Sequence, residues 1–424
     1  MADLGAQHIY CKPLAENDNS KQQIYLGKSF EVLKLLKFGP VSSDPQGTRP
    51  NFKASIPMSW INSEGNTSLA PGAQLILYPD YPEVRLSGFL RRSPLAPSHL
   101  LQPIPKDFRR FNNGRDGRVL FFAVTESHVY AYLAAANTPV AKEILSLNLP
   151  EGRPEWGTLQ EIVRTRSPDL REVLLEKLRE INRIGWHKSE RLDRFGNLRP
   201  YDAPNGGGYT LEAQFGIVPN GRSAPDYMGW ELKAYSTERI TLMTPEPDIG
   251  FYGEQGVKAF LIKYGRVLPG NVIYFTGTHK AGVSSRTSGH RLELSGFDLT
   301  LGKVTDVDGG IQLIASDGTL SAGWSFSRLI EHWGRKHSAA AYIPYEKSLS
   351  KPTEYRYNSP ILLGEGTEFR LFLGALASGA VVYDPATKLM KFGMTNATVK
   401  ARSQFRMRVK DLHQLYIRFS EVKL

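Results

Sequence analysis

Cysteine is all but missing. Cys11 is the only one in 424 residues, so no intrachain disulfide and no cysteine-rich zinc cluster can form, which fits a reducing cytoplasm. No long apolar run occurs either. The longest, residues 371–383, has 13 residues, includes Gly374, Ser378 and Gly379, and falls short of the roughly 20 that cross a bilayer. The segment Met1 to His8 has no basic stretch leading into an apolar one, so no secretory signal and no membrane partner are expected. Glycines 206–208 are not followed by Gly-Lys-Ser/Thr, which excludes a phosphate-cradling P-loop and NTP-driven chemistry. His279, His290, His332 and His337 fall at no metal-ligand spacing, and no internal repeat or low-complexity segment is found. Acid is in deficit: 42 Asp+Glu face 53 Lys+Arg, and the net charge of +11 points to a polyanionic partner, nucleic acid ahead of a membrane surface.

What is present divides in two. A chain of 424 residues exceeds what one core usually organises. From about residue 30 to 135, short β-rich runs alternate with Pro, Gly, Asn and Ser clusters, the texture of an all-β barrel or sandwich. Strands are expected at Glu31–Phe38, Asn51–Ile56, Ala73–Tyr78, Glu83–Leu90, Arg118–Thr125 and Val129–Ala134. The loop from Arg91 to Arg118 is basic, with seven cations against Asp107 and Asp116. Pro150-Glu151-Gly152-Arg153-Pro154 reads as linker, and Ser167-Pro168-Asp169 as a helix start, with a hydroxyl cap, proline in the first turn and an acid where the helix dipole favours it. Leu170, Val173, Leu174, Leu178, Ile181 and Ile184 then recur at helical spacing, and strands and helices mix beyond. The expected layout is an arm over 1–24, a β domain over 25–140, a linker over 141–166 and an α/β domain over 167–424.

One stretch carries chemistry. Asn205-Gly206-Gly207-Gly208 opens a helix bearing Glu212; Pro225-Asp226 enters a strand, and Trp230-Glu231-Leu232-Lys233-Ala234 forms the next. Side chains two apart on a strand share a face, so Glu231 and Lys233 point the same way, and a tight turn through Met228-Gly229 brings Asp226 alongside. Asp226 and Glu231 are hard oxygen ligands suited to Mg²⁺, which takes one or two protein carboxylates. Lys233 would orient or deprotonate an attacking water and stabilise charge on a phosphate. Glu212 is placed to reach the metal directly or through water. The spacing alone also suits a hairpin with solvated carboxylates.

These residues resemble the PD-(D/E)xK nuclease motif, and more narrowly the MvaI/BcnI family of restriction endonucleases, related in fold to the nickase MutH. The matching features are Gly185-Trp186-His187, Glu212 in its helix, and Ala224-Pro225-Asp226 running into Glu231-Leu232-Lys233. The resemblance covers about residues 169–424 and is sharp between Gly185 and Tyr235. It implies a bacterial, monomeric, Mg²⁺-dependent enzyme that hydrolyses double-stranded DNA within a short, nearly palindromic site. The segment 188–208 is longer than that pattern.

The β region is similar in strand order to the B3-like effector domain of EcoRII-type enzymes, a pseudobarrel whose two loops clamp the major groove. That resemblance places DNA contacts at Ser43, Gln46 and Arg49 on one arm and Arg91, Arg92, Lys106, Arg109 and Arg110 on the other. With an MvaI-like nuclease it implies a type IIE restriction enzyme, a CC(A/T)GG target and two bound copies of the site. Near the C-terminus Arg402, Gln404, Arg406 and Arg408 alternate with Ser403, Phe405, Met407 and Val409. One face of such a strand reads bases, with arginine on guanine and glutamine on adenine, or contacts phosphates, or is simply solvated. His187 either touches DNA or closes the end of the helix. A DNA-binding regulator with an inert nuclease fold and a mismatch-repair nickase are the alternative functions.

Overall fold

A computed structural model describes residues 1, 4–46, 49–81, 83–105, 107, 115–147, 157–162, 170–219, 226–336, 339–349 and 351–424. The chain divides into two compact units, Met1–Ser167 and Pro168–Leu424.

The first unit is mostly β-strand, in two sheets. One orders Gln160–Glu161, His8–Ala15, Arg115–Val124, Val129–Ala134, Met58–Ile61 and Thr67–Leu69; the other orders Gln23–Gly27, Glu83–Ser87, Gln74–Tyr78, Asn51–Ser55 and Val41–Asp44. Trp60, Phe52 and Phe122 are fully buried. Three expectations are corrected here. The segment Glu31–Phe38 is not a strand: Phe30–Lys34 is a short 3-10 helix, capped where the Glu31 N–H donates to Ser29 Oγ at 3.0 Å. Val32, Leu33, Leu35 and Leu36 all turn inward, a spacing that suits a helical turn and not period two. Residues 8–15, expected in an arm, form a strand whose register partner is Arg115–Val124. The helix Pro139–Ser146 and the strand Gln160–Glu161, both expected at or beyond the end of the β domain, also belong to this unit.

The second unit is α/β. Its central strand, Ala339–Lys347, pairs in parallel with Trp230–Tyr235 and antiparallel with Glu354–Tyr357 and Ile361–Glu365; Arg418–Val422 lies beyond Ile361–Glu365, and Trp186–Lys188 beyond Glu354–Tyr357. The helix Leu170–Ile184 buries Leu174, Leu175, Leu178 and Ile181 against one face of this sheet, with Trp230, Leu232, Ala341, Ile343, Ile361 and Leu363 beneath. Each such aliphatic side chain contributes about 1.5–3 kcal/mol when fully buried. Leu170 and Ile184, counted in the apolar stripe, are exposed at the helix ends. The helix entry at residues 167–169 and the linker at 150–154 lie outside the described residues. The apolar run 371–383 is the helix Phe369–Ala377 followed by the strand Val381–Tyr383. Among the described residues no helix is long and apolar enough to cross a membrane.

Candidate active site

The turn that the chemistry needs is present. Tyr227 and Trp230 exchange backbone hydrogen bonds of 3.0 and 2.8 Å across Met228 and Gly229, whose φ angles of 46° and 84° are both left-handed. Two consecutive positive φ values make the hairpin turn whose twist matches the flanking strands, and glycine takes the second without strain. Asp226, one residue before the turn, is thereby folded back along the strand Trp230–Tyr235. Its Oδ2 accepts the Leu232 N–H at 2.9 Å, between Glu231 and Lys233.

Alternation along that strand separates two jobs. Trp230 and Leu232 face the helix-covered core. Glu231 and Lys233 share the other face, where Lys233 Nζ donates to Glu231 Oε1 at 2.6 Å. Glu231 is only 2% exposed, and its second oxygen, Oε2, is buried without a hydrogen-bond partner among the described residues. Beneath it the Tyr342 and Tyr416 hydroxyls bond each other at 2.7 Å. Burial, together with the Glu231 charge, raises both phenols well above their ordinary range. A buried carboxylate with one oxygen on an ammonium and the other unsatisfied is costly to keep. A hard divalent cation is a partner that would satisfy it. Nothing in the sequence flagged the tyrosine pair, because its members stand 74 residues apart.

Among the described residues no cluster of three or more His, Cys, Asp or Glu is spaced to hold a metal. In the helix Gly206–Gln214, which carries Glu212, Leu211 and Phe215 pack with Trp230 and Leu232 on the face opposite Glu231, and the charge of Glu212 is felt by Tyr357. The glycines at its start are not a loop. They lie inside the helix, where a Cβ on Gly207 would stand 2.5 Å from the Tyr345 ring, and Tyr357 Oη donates to the Gly207 carbonyl at 2.7 Å. The long segment 188–208 holds the hairpin Glu190–Leu192 and Leu198–Pro200, tied to the same helix where the Glu190 N–H donates to Thr210 Oγ1 at 3.1 Å.

The expected DNA contacts are placed unevenly. His187 is buried, donates to the Ile181 carbonyl from Nε2 at 2.9 Å and packs on Tyr357, so it closes the helix end. Arg402 is exposed, while Gln404 and Arg406 are half-buried and Arg406 Nη1 is engaged by Asp384 Oδ2 at 2.8 Å. The strand covers only Phe405–Arg408, yet Ala386 N–H donates to the Arg402 carbonyl at 2.9 Å and Asp384 N–H to that of Gln404 at 2.8 Å, so the alternation runs on through 402–408. In the first unit Ser43 lies on the strand Val41–Asp44, Gln46 is exposed, and the exposed Arg49 guanidinium stands 5.3 Å from the Tyr81 ring centre. Arg91 and Arg92 are exposed; Lys106, Arg109 and Arg110 lie outside the described residues, as does Pro225. Arg118 is buried instead, donating to the Leu100 carbonyl at 2.6 Å and paired with Asp116.

A family model described as the MvaI/BcnI restriction endonuclease family matches residues 175–416. The chain belongs to that family. Glu212, Asp226, Glu231, Lys233 and the 402–408 segment all fall inside the match; the β unit falls outside it. Two solved structures are similar. The restriction endonuclease MvaI in complex with cognate DNA is 17% identical, over 60% of this chain and 99% of that one, at a TM-score of 0.48. MvaI in the absence of DNA is 14% identical, over 61% of this chain and 99% of that one, at a TM-score of 0.34. No curated protein matches the chain.

Proposed function

We infer that this restriction endonuclease is a type II, site-specific enzyme of the IIE kind, acting as a monomer on double-stranded DNA in the bacterial cytoplasm, with Mg²⁺ as cofactor and CC(A/T)GG as target. The observation that carries the catalytic part is the buried Glu231, with Lys233 on one oxygen and no partner on the other. Asp226 and Glu231 are the residues that would hold the ion. Mg²⁺, when bound, supplies Lewis-acid polarisation of the phosphoryl group and activation of water. The chain's own residues do the rest. The Leu232 amide fixes Asp226, burial fixes Glu231, and the Lys233 ammonium orients the attacking water and offsets charge that develops on the phosphate oxygens. Glu212, on the helix Gly206–Gln214, would support the ion directly or through water. Arg402 and Gln404 are the candidates for base contacts, and Arg406 is one only if it exchanges Asp384 for a base.

The β unit is read as a B3-like effector domain that binds a second copy of the site, the layout of the type IIE enzyme UbaLAI. Its clamp arms would carry Ser43, Gln46 and Arg49, and Arg91, Arg92, Lys106, Arg109 and Arg110. Sequencing the ends of plasmid cut in Mg²⁺ tests the reading. Breaks at one position of CC(A/T)GG support it; scattered ends or uncut plasmid defeat it. Stimulation by an added site-bearing oligonucleotide, abolished in an Arg49→Ala/Arg91→Ala variant that still cuts, supports the effector role; stimulation unchanged in that variant removes it.

A further inference from the structure

Four strands of the second unit, Arg266–Leu268, Val272–Thr276, Ala386–Met390 and Thr398–Lys400, form an antiparallel sheet. Its inner face is apolar: Ile273, Phe275 and Leu389 are buried, and Phe275 packs edge-on against Phe260 of the helix Gly250–Tyr264, ring centres 4.8 Å apart. The outer face carries one unbroken cross-strand row, Arg266 opposite Tyr274, Tyr274 opposite Lys388, and Lys388 opposite Lys400. Two residues further along the last strand Arg402 continues the face, opposite Ala386.

Lys388 directly opposite Lys400 is a repulsive cross-strand pair. No acid among the described residues relieves it. Among the described residues the side chains of Arg266, Lys388, Lys400 and Arg402 make no ion pair or hydrogen bond, and Asp384 at the end of the face is held by Arg406. The arrangement works against the fold's own stability, and no contact among the described residues offsets it. The missing counter-charge is a polyanion. Four strands about 4.8 Å apart span about 15 Å, and a duplex presents about nine phosphate charges over that length. Arginine and lysine meet those charges, and the Tyr274 hydroxyl adds a donor that needs no sequence.

The geometry points to this face as a track for the DNA phosphate backbone, a positioning surface that continues from the base-contact candidates at 402–408. The inference rests on the DNA-cleaving reading above, and its test separates the two. Binding of the parent and of a Lys388→Gln/Lys400→Gln variant is measured by anisotropy, without Mg²⁺, over a range of KCl, on a duplex of about 30 base pairs containing CC(A/T)GG and on one lacking it. Removing two phosphate contacts makes the slope of log K against log salt shallower by about 1.8 on both duplexes, with the ratio of the two affinities unchanged. The variant melts no lower than the parent, because a repulsion has been removed. An unchanged slope overturns the inference, and so does a fall in the affinity ratio, which would make these lysines base readers. If the parent cuts while the variant's slope is unchanged, only the phosphate track fails; a parent that binds neither duplex defeats both readings.

Discussion

Removing the ammonium from the Glu231–Lys233 pair tests how the site is held. In Lys233→Met the Glu231 carboxylate, 2% exposed and already unpartnered at Oε2, loses its remaining side-chain partner at 2.6 Å. At an effective dielectric of about 20 the gross attraction over that distance is about 6 kcal/mol. Part of it is returned by desolvation of the ammonium, which is itself 23% exposed. Breaking a buried pair from one side typically costs about 3–5 kcal/mol, and the exposure of Lys233 puts the expected loss at the lower end, about 3 kcal/mol. Glu231→Gln removes the charge that needs a partner and changes stability by less than about 1 kcal/mol. The double variant then recovers most of what Lys233→Met loses, for a coupling of about 2 kcal/mol. Urea denaturation of the four proteins at neutral pH, followed by tryptophan fluorescence, reads these values, with Trp230 buried beside the pair. A Lys233→Met protein as stable as the parent, or losses that simply add, would refute the idea that a strained buried carboxylate organises the site.

Two further predictions follow from packing and protonation. Gly207→Ala drives a methyl to 2.5 Å from the Tyr345 ring and lowers stability by about 1–3 kcal/mol, whereas Gly208→Ala meets nothing within 4 Å and gains about 0.5–1 kcal/mol of helix propensity; thermal melting of the two neighbours checks the opposite signs. Burial drops His279 from 6.5 to about 4, with Nε2 set against Ser288 Oγ at 2.7 Å. A folded-state value below the unfolded one means that the unfolded chain takes up the proton first. The stability present above pH 6.5 is therefore lost as pH falls toward 4, by on the order of 3 kcal/mol. His279→Gln flattens this slope in denaturation measured from pH 7 to 4; an equally steep slope would assign the acid sensitivity to other groups.

Local rules served well where partners are near in sequence. The hairpin at Met228-Gly229, the shared face of Glu231 and Lys233 and the helical stripe of Leu174, Leu178 and Ile181 are all set by spacings of two to four residues, and period alone exposes them. What depends on distant partners was hidden. His8–Ala15 becomes a strand because Arg115–Val124 lies beside it, and no pattern within residues 8–15 announces a partner so remote. Which face of the sheet the Glu212-bearing helix covers is likewise decided at a distance, by Leu211 and Phe215 against Trp230 and Leu232. Charge counts mislead in the same way. Arg118 and Arg406 add to a basic tally, yet one is buried with Asp116 and the other is engaged by Asp384.

The most direct measurement of the catalytic proposal is plasmid cleavage in Mg²⁺ by the parent and by Asp226→Ala, with duplex binding recorded in parallel. The account predicts a parent that linearises plasmid and a variant that binds the duplex as tightly and leaves plasmid intact. Cleavage surviving in Asp226→Ala would contradict it, and so would a parent that binds the duplex and never cuts.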